Sequence, residues 1–385
     1  MFNKKISRIN TNCIKWDQRK EVFNNEDAIP LWVADMDFQA PPEIISALHQ
    51  RVEHGIFGYS FAPQSLYQAV VNWNKTRHNW TIEKDDIIFT TNVLAPINIL
   101  LRILSKEKDN IIMLSPIYFP FFQIVERINR NPIFSNMLIK DNKYVVDFTA
   151  FEQQIIKEKP AVLIFCNPHN PSGRVWDKTE LSKIIELCQK HNVKIISDEI
   201  HKDLVFLDSS YTPLLSVANT YQDSVFCVSA PTKSFNLAGI KIAYTIITNK
   251  QVASEFQKIS KELNQPSPNI FGMVAMEAAY NHCADWIDEL CGYLQTNYQL
   301  VQTELQDTKF NCLTCEGTYL LWIDYSQYNI TEIEFYQLLY QNGIGVQQGS
   351  QFGKMGTNYF RMNVATQRSN LKEALTKLKE LFKDR

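Results

Sequence analysis

The sequence predicts a three-layer α/β/α large domain built on a mainly parallel, seven-stranded sheet, together with a smaller α+β domain. Three observations carry this fold class: short segments that are almost wholly apolar, their alternation with helical patterns, and a change of pattern after about residue 250. Strands that are apolar along their whole length suit a sheet that is buried on both faces. Alternation with helices is typical of parallel strands joined by crossover helices.

Seven segments have the strand-like composition. They read DIIFTT (86–91), NIIMLS (110–115), PIFSNML (132–138), AVLIFCN (161–167), VKIISD (193–198), SVFCVSA (224–230) and IAYTIIT (242–248). Helical patterns lie between several of them, for example KTELSKIIELCQKHN (178–192). Two more helices are predicted upstream, one that begins after Pro42 and ends at Gly55, and one over residues 63–80.

The regular alternation stops in the last third of the chain. A long helical region runs to about residue 306, and the strand-like segments NCLTCEGTYLLWIDY (311–325) and YFRMNVA (359–365) follow, each before a helix. This order is typical of an α+β arrangement. We therefore predict a large domain over residues 45–275 and a small domain over residues 1–44 and 276–385.

Composition argues against several classes of partner. The formal net charge is −2 and no basic cluster stands out, so we expect no nucleic-acid partner. No 18 consecutive residues are apolar and the first ten, MFNKKISRIN, do not resemble a signal peptide, so we expect no membrane partner. The eight cysteines are scattered, which favours the reducing cytoplasm.

Two short patterns could suggest a metal, but both lack further ligands. The CLTC pair (312–315) has no second pair at zinc-site spacing, which favours a structural role. Asp35 and Asp37, in ADMDF, have no other clustered ligands beside them, so a loop or interface role is favoured. We expect no metal site.

Polar residues follow three of the predicted strands where each strand ends. Asn170 follows AVLIFCN, Asp198 and His201 follow VKIIS, and Ser229, Thr232 and Lys233 follow SVFCV. Ligands of open α/β sheets bind outside the carboxyl ends of the strands. Taken singly, Lys233 is typical of a surface lysine, Asp198 of a helix cap and Asn170 of a turn. Their occurrence together favours a ligand site.

This set of residues suits pyridoxal phosphate. That cofactor needs a lysine for a Schiff base and an acid beside its pyridine nitrogen, so that the ring acts as an electron sink. Lys233 and Asp198 fill these roles, and Asn170 can bond the phenolate oxygen. Tyr118, in SPIYFPFF, can stack on the ring. TTNVLAP (90–96) follows a strand and opens a helix, whose N–H groups attract phosphate.

The motifs in this order resemble fold-type I, pyridoxal-phosphate-dependent enzymes of the class I/II aminotransferase superfamily. The branch that they resemble contains the cystathionine β-lyases and cysteine-S-conjugate β-lyases. The resemblance runs from about residue 30 to the C-terminus. Its motifs are PLWVADMDFQAPPEI, GYS, NPHNPSGRVW, SDEIHKDL, APTKSFNLAGIK and FRMNVATQR.

The resemblance implies a role for each matching residue. Lys233 binds the cofactor and later moves the Cα proton, Tyr118 stacks on the ring, and Arg361 holds the substrate α-carboxylate. His201 is a second phenolate partner, although a residue packed under the cofactor is an equally good interpretation. Tyr59 reaches the phosphate of a neighbouring subunit, which implies a homodimer; for both tyrosines a core role stays open. The implied phosphate-binding residues are Asn92, Val93, Leu94, Ser229, Thr232 and Lys241.

Two positions depart from the usual pattern of the family. Asn92 replaces a glycine of the phosphate cradle, and Lys241 replaces an arginine. Lysine meets phosphate as a point charge, without the bidentate geometry of arginine.

The resemblance implies a carbon–sulfur β-lyase that converts S-substituted L-cysteines, such as cystathionine, to pyruvate, ammonia and a thiol. An aminotransferase needs the same residues and ranks second. A lyase-like protein with an added regulatory, protein-binding role is the third hypothesis.

Overall fold

The computed structural model describes residues 2–265 and 267–385. The strands, in chain order, are β1 (Ile29–Leu31), β2 (Ile87–Thr90), β3 (Asn110–Ser115), β4 (Asn131–Asn136), β5 (Leu138–Lys140), β6 (Lys143–Val145), β7 (Val162–Cys166), β8 (Lys194–Asp198), β9 (Val225–Ser229), β10 (Ala243–Ile246), β11 (Asn311–Cys312), β12 (Leu320–Asp324), β13 (Ile344–Gln348) and β14 (Tyr359–Asn363).

The α-helices, in chain order, are α1 (Ile14–Asp17), α2 (Arg19–Phe23), α3 (Pro42–Glu53), α4 (Gln64–His78), α5 (Leu94–Leu104), α6 (Phe119–Arg127), α7 (Phe148–Glu158), α8 (Lys178–Lys190), α9 (Lys250–Glu262), α10 (Ile270–His282), α11 (Ala284–Leu305), α12 (Glu332–Gln341) and α13 (Arg368–Phe382). The helix predicted after Pro42 is α3, with proline in its first turn, where a missing N–H costs nothing.

The seven predicted strands form one sheet, in the order β2-β10-β9-β8-β7-β3-β4. Strands β9, β8, β7, β3 and β4 pair in parallel, and β10 pairs antiparallel with both β9 and β2. The predicted fold class is therefore confirmed. The parallel pairing brings the carboxyl ends of β7, β8 and β9 to one edge, where a ligand site is expected.

Alternate residues of the central strands enter two different cores. In β7, Val162 and Ile164 pack into a core with residues of α5, α6 and α9. Leu163 and Phe165 pack into a second core, which includes residues of α4, α8 and α10. Because successive side chains of a strand point to opposite faces, both faces of the sheet are covered by helices. This explains why the strands are apolar along their whole length.

A second sheet, in the order β1-β13-β14-β12-β11, contains one strand from near the N-terminus. Strand β1 pairs in parallel with β13, which places residues 29–31 beside residues 344–346. Helix α10, at residues 270–282, packs on α3 and α4 and spans the domain boundary predicted after residue 275. The two domain ranges therefore stay predictions.

The described chain has no helix that is both long and apolar enough to cross a membrane. Within residues 2–265 and 267–385, no three metal-ligating side chains group together. All eight cysteines are free, and Cys315 packs against the turn at Gly173, where a Cβ would lie 2.5 Å from its sulfur. Since Gly173 also has φ +70°, a larger residue there would disturb the turn that carries Asn170.

Candidate active site

A cavity of about 200 Å³ lies at the carboxyl ends of β7, β8 and β9. Most of the residues predicted from the sequence line its wall. They are Asn92, Val93, Leu94, Tyr118, Asn170, Asp198, His201, Thr232, Lys233 and Lys241. Ser229, Tyr59 and Arg361 are not part of this lining. The strand ends therefore meet as the fold predicted, and they enclose a space that a small cofactor could enter.

Lys233 lies in the turn after β9, and its Nζ donates to the carbonyl oxygen of Ala34 at 2.5 Å. Burial lowers the pKa of Lys233 to about 8, and the charge of Arg361 acts in the same direction. Asp35 and Asp198 oppose this shift, because a negative charge stabilises the ammonium. Near neutral pH a usable fraction of this amine is unprotonated, as a nucleophile or base requires.

Asp198 ends β8 with its side chain at the cavity. Its Oδ1 accepts from the N–H of Ile200 at 3.0 Å. Burial raises the pKa of Asp198 to about 7, and Glu199 beside it acts in the same direction. A carboxylate in this position would be stabilised by a cationic ring nitrogen in the cavity, because an opposite charge offsets the cost of desolvation.

His201 and Tyr118 present uncharged polar groups to the cavity. No described residue bonds the buried Nδ1 of His201. Burial, with the charges of Lys233 and Arg361, holds the pKa of His201 well below its usual value, so the imidazole is neutral. Burial raises the pKa of Tyr118, so its phenol keeps its proton. A buried polar atom without a partner is rare and fits a missing ligand atom.

Arg361, on β14, lies against Asn170. Its Nη1 donates to Asn170 Oδ1 at 3.1 Å and its Nη2 to the carbonyl of Trp32 at 3.0 Å. Its buried Nε has no partner in the described chain. Burial lowers the pKa of Arg361 to about 10, but the group stays cationic at neutral pH. A buried guanidinium with a spare donor and no carboxylate partner is suited to an anionic ligand.

The start of α5 forms another part of the wall. Asn92 Oδ1 accepts from the N–H groups of Leu94 at 3.0 Å and Ala95 at 2.9 Å, so it caps the helix. The N–H groups of Asn92 and Val93 have no acceptor among the residues described. These donors and the positive end of the helix dipole suit an anion such as phosphate. The side chain of Asn92 therefore occupies the N–H groups of Leu94 and Ala95, which a glycine at this position would leave free.

Two further predicted phosphate contacts differ in position. Lys241 lines the cavity with φ +57°, a left-handed conformation that is uncommon for residues other than glycine. Ser229 is not part of the lining, and its Oγ donates to the carbonyl of Glu199 at 3.2 Å. The structure thus brings Thr232 and Lys241 to the cavity wall, whereas Ser229 is not part of that wall.

Comparison with known families gives a clear assignment, since residues 26–378 match the aminotransferase class I and II family. The chain belongs to this family. It is 34% identical over 383 residues to cystathionine beta-lyase PatB of Bacillus subtilis (strain 168), with 98% of both chains covered. It is 29% identical over 382 residues to protein MalY of Escherichia coli (strain K12), covering 98% of this chain and 97% of that one.

Solved structures of other proteins are similar to this chain along its whole length. Cystalysin from Treponema denticola, which contains a pyridoxal 5'-phosphate cofactor, matches with a TM-score of 0.96 at 32% identity, over 100% of this chain and 99% of that chain. The pyridoxal-phosphate-bound C-S lyase from Staphylococcus hominis matches with a TM-score of 0.92 at 27% identity, over 99% and 98%. The resemblance inferred from the motifs is therefore confirmed.

Tyr59 lies outside the cavity of its own chain. It is fully exposed, at 112% of the reference surface, in the loop between α3 and α4. Ile56, Phe57 and Phe61 in the same loop are also exposed, at 68%, 55% and 83%. A cluster of exposed large apolar side chains of this kind is typical of an interaction surface.

Several residues of the cavity wall were not among the predicted site residues, although the small Ala238 was expected to leave room for the cofactor. They are Ala34, Thr91, Phe121, Cys166, Ile200 and Ala238. Ala34 lies in the quoted WVADMDF segment, which was the available signal. The others also lie in segments that carry predicted residues, namely TTNVLAP, SPIYFPFF, AVLIFCN, SDEIHKDL and APTKSFNLAGIK, but their side chains gave no separate signal for a ligand.

Proposed function

We propose that this protein is a pyridoxal-phosphate-dependent carbon–sulfur β-lyase that converts cystathionine or other S-substituted L-cysteines to pyruvate, ammonia and a thiol. The observation that carries the proposal is the meeting of an amine of lowered pKa and a buried carboxylate in one cavity, with a buried guanidinium that donates to Asn170 in the wall of that cavity. The relatives named cystathionine beta-lyase and C-S lyase support this reaction over others of the family.

The residues present fit the cofactor. Lys233 would bind it covalently, Asp198 would pair with its ring nitrogen, and Asn170 and His201 would contact its phenolate oxygen. Its phosphate would lie at the start of α5. When bound, pyridoxal phosphate supplies an electron sink for the carbanion at the substrate Cα. The unbonded Nδ1 of His201 and the free N–H groups of Asn92 and Val93 support this fit.

Arg361 would bind and orient the substrate through its α-carboxylate. Its Nε has no partner in the described chain, and its other two nitrogens are held by Asn170 and Trp32. Holding the carboxylate fixes the Cα–H bond relative to Lys233, and such orientation lowers the barrier of a bimolecular step.

Lys233 would move the protons of the reaction. In its neutral form, Nζ accepts the proton from the substrate Cα. The Cβ–S bond then breaks and its electron pair leaves with the sulfur as a thiolate. The proton on Lys233 Nζ would then pass to the thiolate, which gives the thiol and restores the neutral amine, and water would hydrolyse the resulting aminoacrylate to pyruvate and ammonia, so that atoms and charges balance. Because burial brings the pKa of Lys233 to about 8, the neutral base is available near physiological pH.

Purified holoprotein incubated with L-cystathionine and a panel of S-substituted cysteines tests this proposal. We expect equal amounts of pyruvate and thiol, and Lys233→Ala protein should release neither. Cofactor-loaded protein that releases no pyruvate from any of these substrates would exclude the lyase.

An aminotransferase is the second candidate, because the family name and a 25% identical relative named probable aspartate aminotransferase point to it. It would use the same side chains but would need a keto acid as amino acceptor. Conversion of the bound cofactor to its amine form without pyruvate release would favour this function.

We further propose a homodimer in which Tyr59 completes the site of the neighbouring subunit. The exposed loop with Tyr59, Phe57 and Phe61 supports this arrangement. Mixing Lys233→Ala and Tyr59→Ala proteins tests it, since a mixed dimer would contain one site with both native residues. Recovery of activity on mixing supports the proposal, and a monomer in solution contradicts it.

We also propose a cytoplasmic location, because eight free cysteines suit a reducing compartment. Cell fractionation with an antibody to the protein tests this directly.

A further inference from the structure

Residues 32–38, which we call the strap, contact two cationic residues of the proposed active site, Lys233 and Arg361. The carbonyl of Ala34 accepts from Lys233 Nζ at 2.5 Å. The carbonyl of Trp32 accepts from Arg361 Nη2 at 3.0 Å. The position of the strap therefore influences both the proposed base and the proposed substrate-binding residue.

Four charged side chains, which we call the clasp, fix the strap. Arg8 forms a fork with Asp35, at 2.9 Å from Nη1 to Oδ1 and 2.7 Å from Nη2 to Oδ2. Arg8 Nη1 also reaches Asp37 Oδ1 at 2.9 Å, and Lys15 Nζ reaches Asp37 Oδ2 at 3.0 Å. Two cations and two carboxylates thus meet directly beside Ala34, and the bidentate fork fixes direction as well as distance.

Two members of the clasp, Asp37 and Arg8, are stabilised in their charged forms in spite of their burial. Burial alone would raise the pKa of Asp37, but the charges of Lys15 and Arg8 and a hydrogen bond from Trp16 hold it below its usual value. Burial alone would lower the pKa of Arg8, but Asp35 and Asp37 raise it. A paired, hydrogen-bonded charge cluster is costly to leave half satisfied, so it sets one arrangement of the strap.

Arg8 and Asp35, which form the fork, can be replaced with less loss of folding stability than Lys15 and Asp37, because they are less buried. The side chains of Lys15 and Asp37 are 0% and 2% exposed, whereas those of Arg8 and Asp35 are 21% and 18% exposed. Asp35 is also the clasp member whose charge acts on Lys233.

We propose that Arg8 and Asp35 are positioning residues for Lys233. Their fork holds the strap so that the Ala34 carbonyl meets the lysine amine whenever that amine is free, with the Asp35 carboxylate close by. The long, flexible lysine side chain then loses less freedom when it acts as a base. The inference deepens the proposed function and rests on the role of Lys233 in it.

The other groups that act on Lys233 lie on different elements. The charges that act on it are those of Arg361 from β14, Asp198 from β8 and Asp35 from the strap. The cavity also holds His201 and Tyr118 near this amine, and Tyr319 donates to the same Ala34 carbonyl at 2.9 Å. Replacing Asp35 by asparagine removes one negative charge and leaves the other charges in place, so the pKa of Lys233 should fall.

The test is a pH titration of the absorbance of the bound cofactor, which reports protonation of the lysine nitrogen that holds it. We expect Asp35→Asn to lower the midpoint by about 0.5 pH unit or more, because a stabilising anion is lost. Arg8→Lys keeps the charge but cannot form the fork, so we expect an unchanged midpoint and about a tenfold loss in kcat/KM.

Arg102→Lys is the matched control. Among the residues that the structure describes, Arg102 bonds only Asn98, on the exposed face of α5, and its replacement should change neither quantity. An Asp35→Asn holoprotein that titrates as the wild type overturns the proposal, even if its melting temperature falls. If the Asp35→Asn variant does not fold, the test rests on Arg8→Lys. An Arg8→Lys protein with the kcat/KM of the wild type would then overturn the proposal. Wild-type protein without a titratable cofactor band would contradict the proposed function itself.

Discussion

Arg361 Nη1 donates to Asn170 Oδ1 at 3.1 Å, across a sequence separation of 191 residues. This contact joins β14 of the second sheet to the turn after β7 of the first. It links the proposed carboxylate-binding residue to the proposed cofactor contact. The two sheets, which lie far apart in the sequence, therefore meet at the site, and each contributes one residue of this contact.

Arg361→Lys is expected to raise KM for amino-acid substrates about 10- to 100-fold with a smaller change in kcat. Lysine keeps a positive charge but loses the planar fork that matches a carboxylate. Steady-state kinetics with cystathionine measure the effect. An S-substituted cysteamine, which has no carboxylate, is the control and should react equally poorly with both proteins. An unchanged KM for cystathionine would refute the role of Arg361.

Cofactor uptake by cofactor-free protein is expected to become faster with rising pH, with a midpoint near 8. Only the neutral amine attacks the cofactor aldehyde, and burial lowers the pKa of Lys233 to about 8. Rapid-mixing absorbance measurements from pH 6 to about pH 10 follow the reaction. N-acetyl-lysine is the reference, with a midpoint near its ordinary pKa of about 10.4. The same high midpoint in the protein would show that the site does not depress this pKa.

Asp198→Asn is expected to stabilise the cofactor-free protein, increasingly so as the pH rises. Burial raises the pKa of Asp198 to about 7 in the folded state, against about 3.9 in the unfolded chain. Between these values the folded state binds more protons, so its free energy of unfolding falls as pH rises. The difference between variant and wild type should therefore grow from about pH 4 to about pH 7 and then level off.

Urea unfolding at several pH values measures that difference. With cofactor bound the order should reverse, because a ring cation then compensates the Asp198 charge. A difference that does not change with pH in cofactor-free protein would contradict the prediction.

Asn92→Gly is expected to tighten binding of pyridoxal phosphate and to lower the melting temperature of cofactor-free protein slightly. The change frees the N–H groups of Leu94 and Ala95 for the phosphate but removes the cap of α5. Replacing a capping Asn by Gly costs a few tenths of a kcal/mol, roughly. Fluorescence titration and thermal melts measure the two effects.

Asn249→Gly is the control for the cap, since Asn249 caps α9 through Gln251 and Val252 in the same way. It should lower the melting temperature alone. Weaker cofactor binding in Asn92→Gly would contradict the prediction and would mean that the side chain of Asn92 contacts the phosphate.

Asp203→Asn is expected to reduce the free energy of unfolding by about 3 kcal/mol or more, because it breaks a buried charge network. Asp203 accepts from Trp73 Nε1 at 2.9 Å, His78 Nε2 at 2.8 Å and Ser234 Oγ at 2.7 Å. Burial would raise the pKa of Asp203, but His78, Lys202 and Arg77 hold it well below its usual value.

Urea denaturation measures the loss in that variant. Asp288→Asn is the control, since Asp288 is largely exposed and also pairs with Arg77, at 2.6 Å. An exposed ion pair contributes about 1 kcal/mol or less. Equal losses in the two variants would show that the buried network stabilises the fold no more than an exposed ion pair does.

The seven strands and the polar residues at their ends were predictable because their signals are local. A strand buried on both faces must be apolar along its length, and VLIFC of β7 satisfies this without reference to the rest of the chain. Asp198 is the last residue of β8, and Asn170 and Lys233 follow β7 and β9 within a short turn, so the parallel sheet alone brings them to one edge.

Tertiary structure decided what depends on contacts between distant segments. In the folded chain β10 runs antiparallel to β9, and β1 pairs with β13. The Oγ of Ser229 donates to the carbonyl of Glu199. Asp35 and Asp37 form ion pairs with Arg8 and Lys15. None of these has a local signature, since an aspartate in a loop has the same sequence pattern with or without an arginine beside it. The hydrogen bond from Lys233 Nζ to the carbonyl oxygen of Ala34, at 2.5 Å, joins residues 199 positions apart, so it forms only in the packed chain.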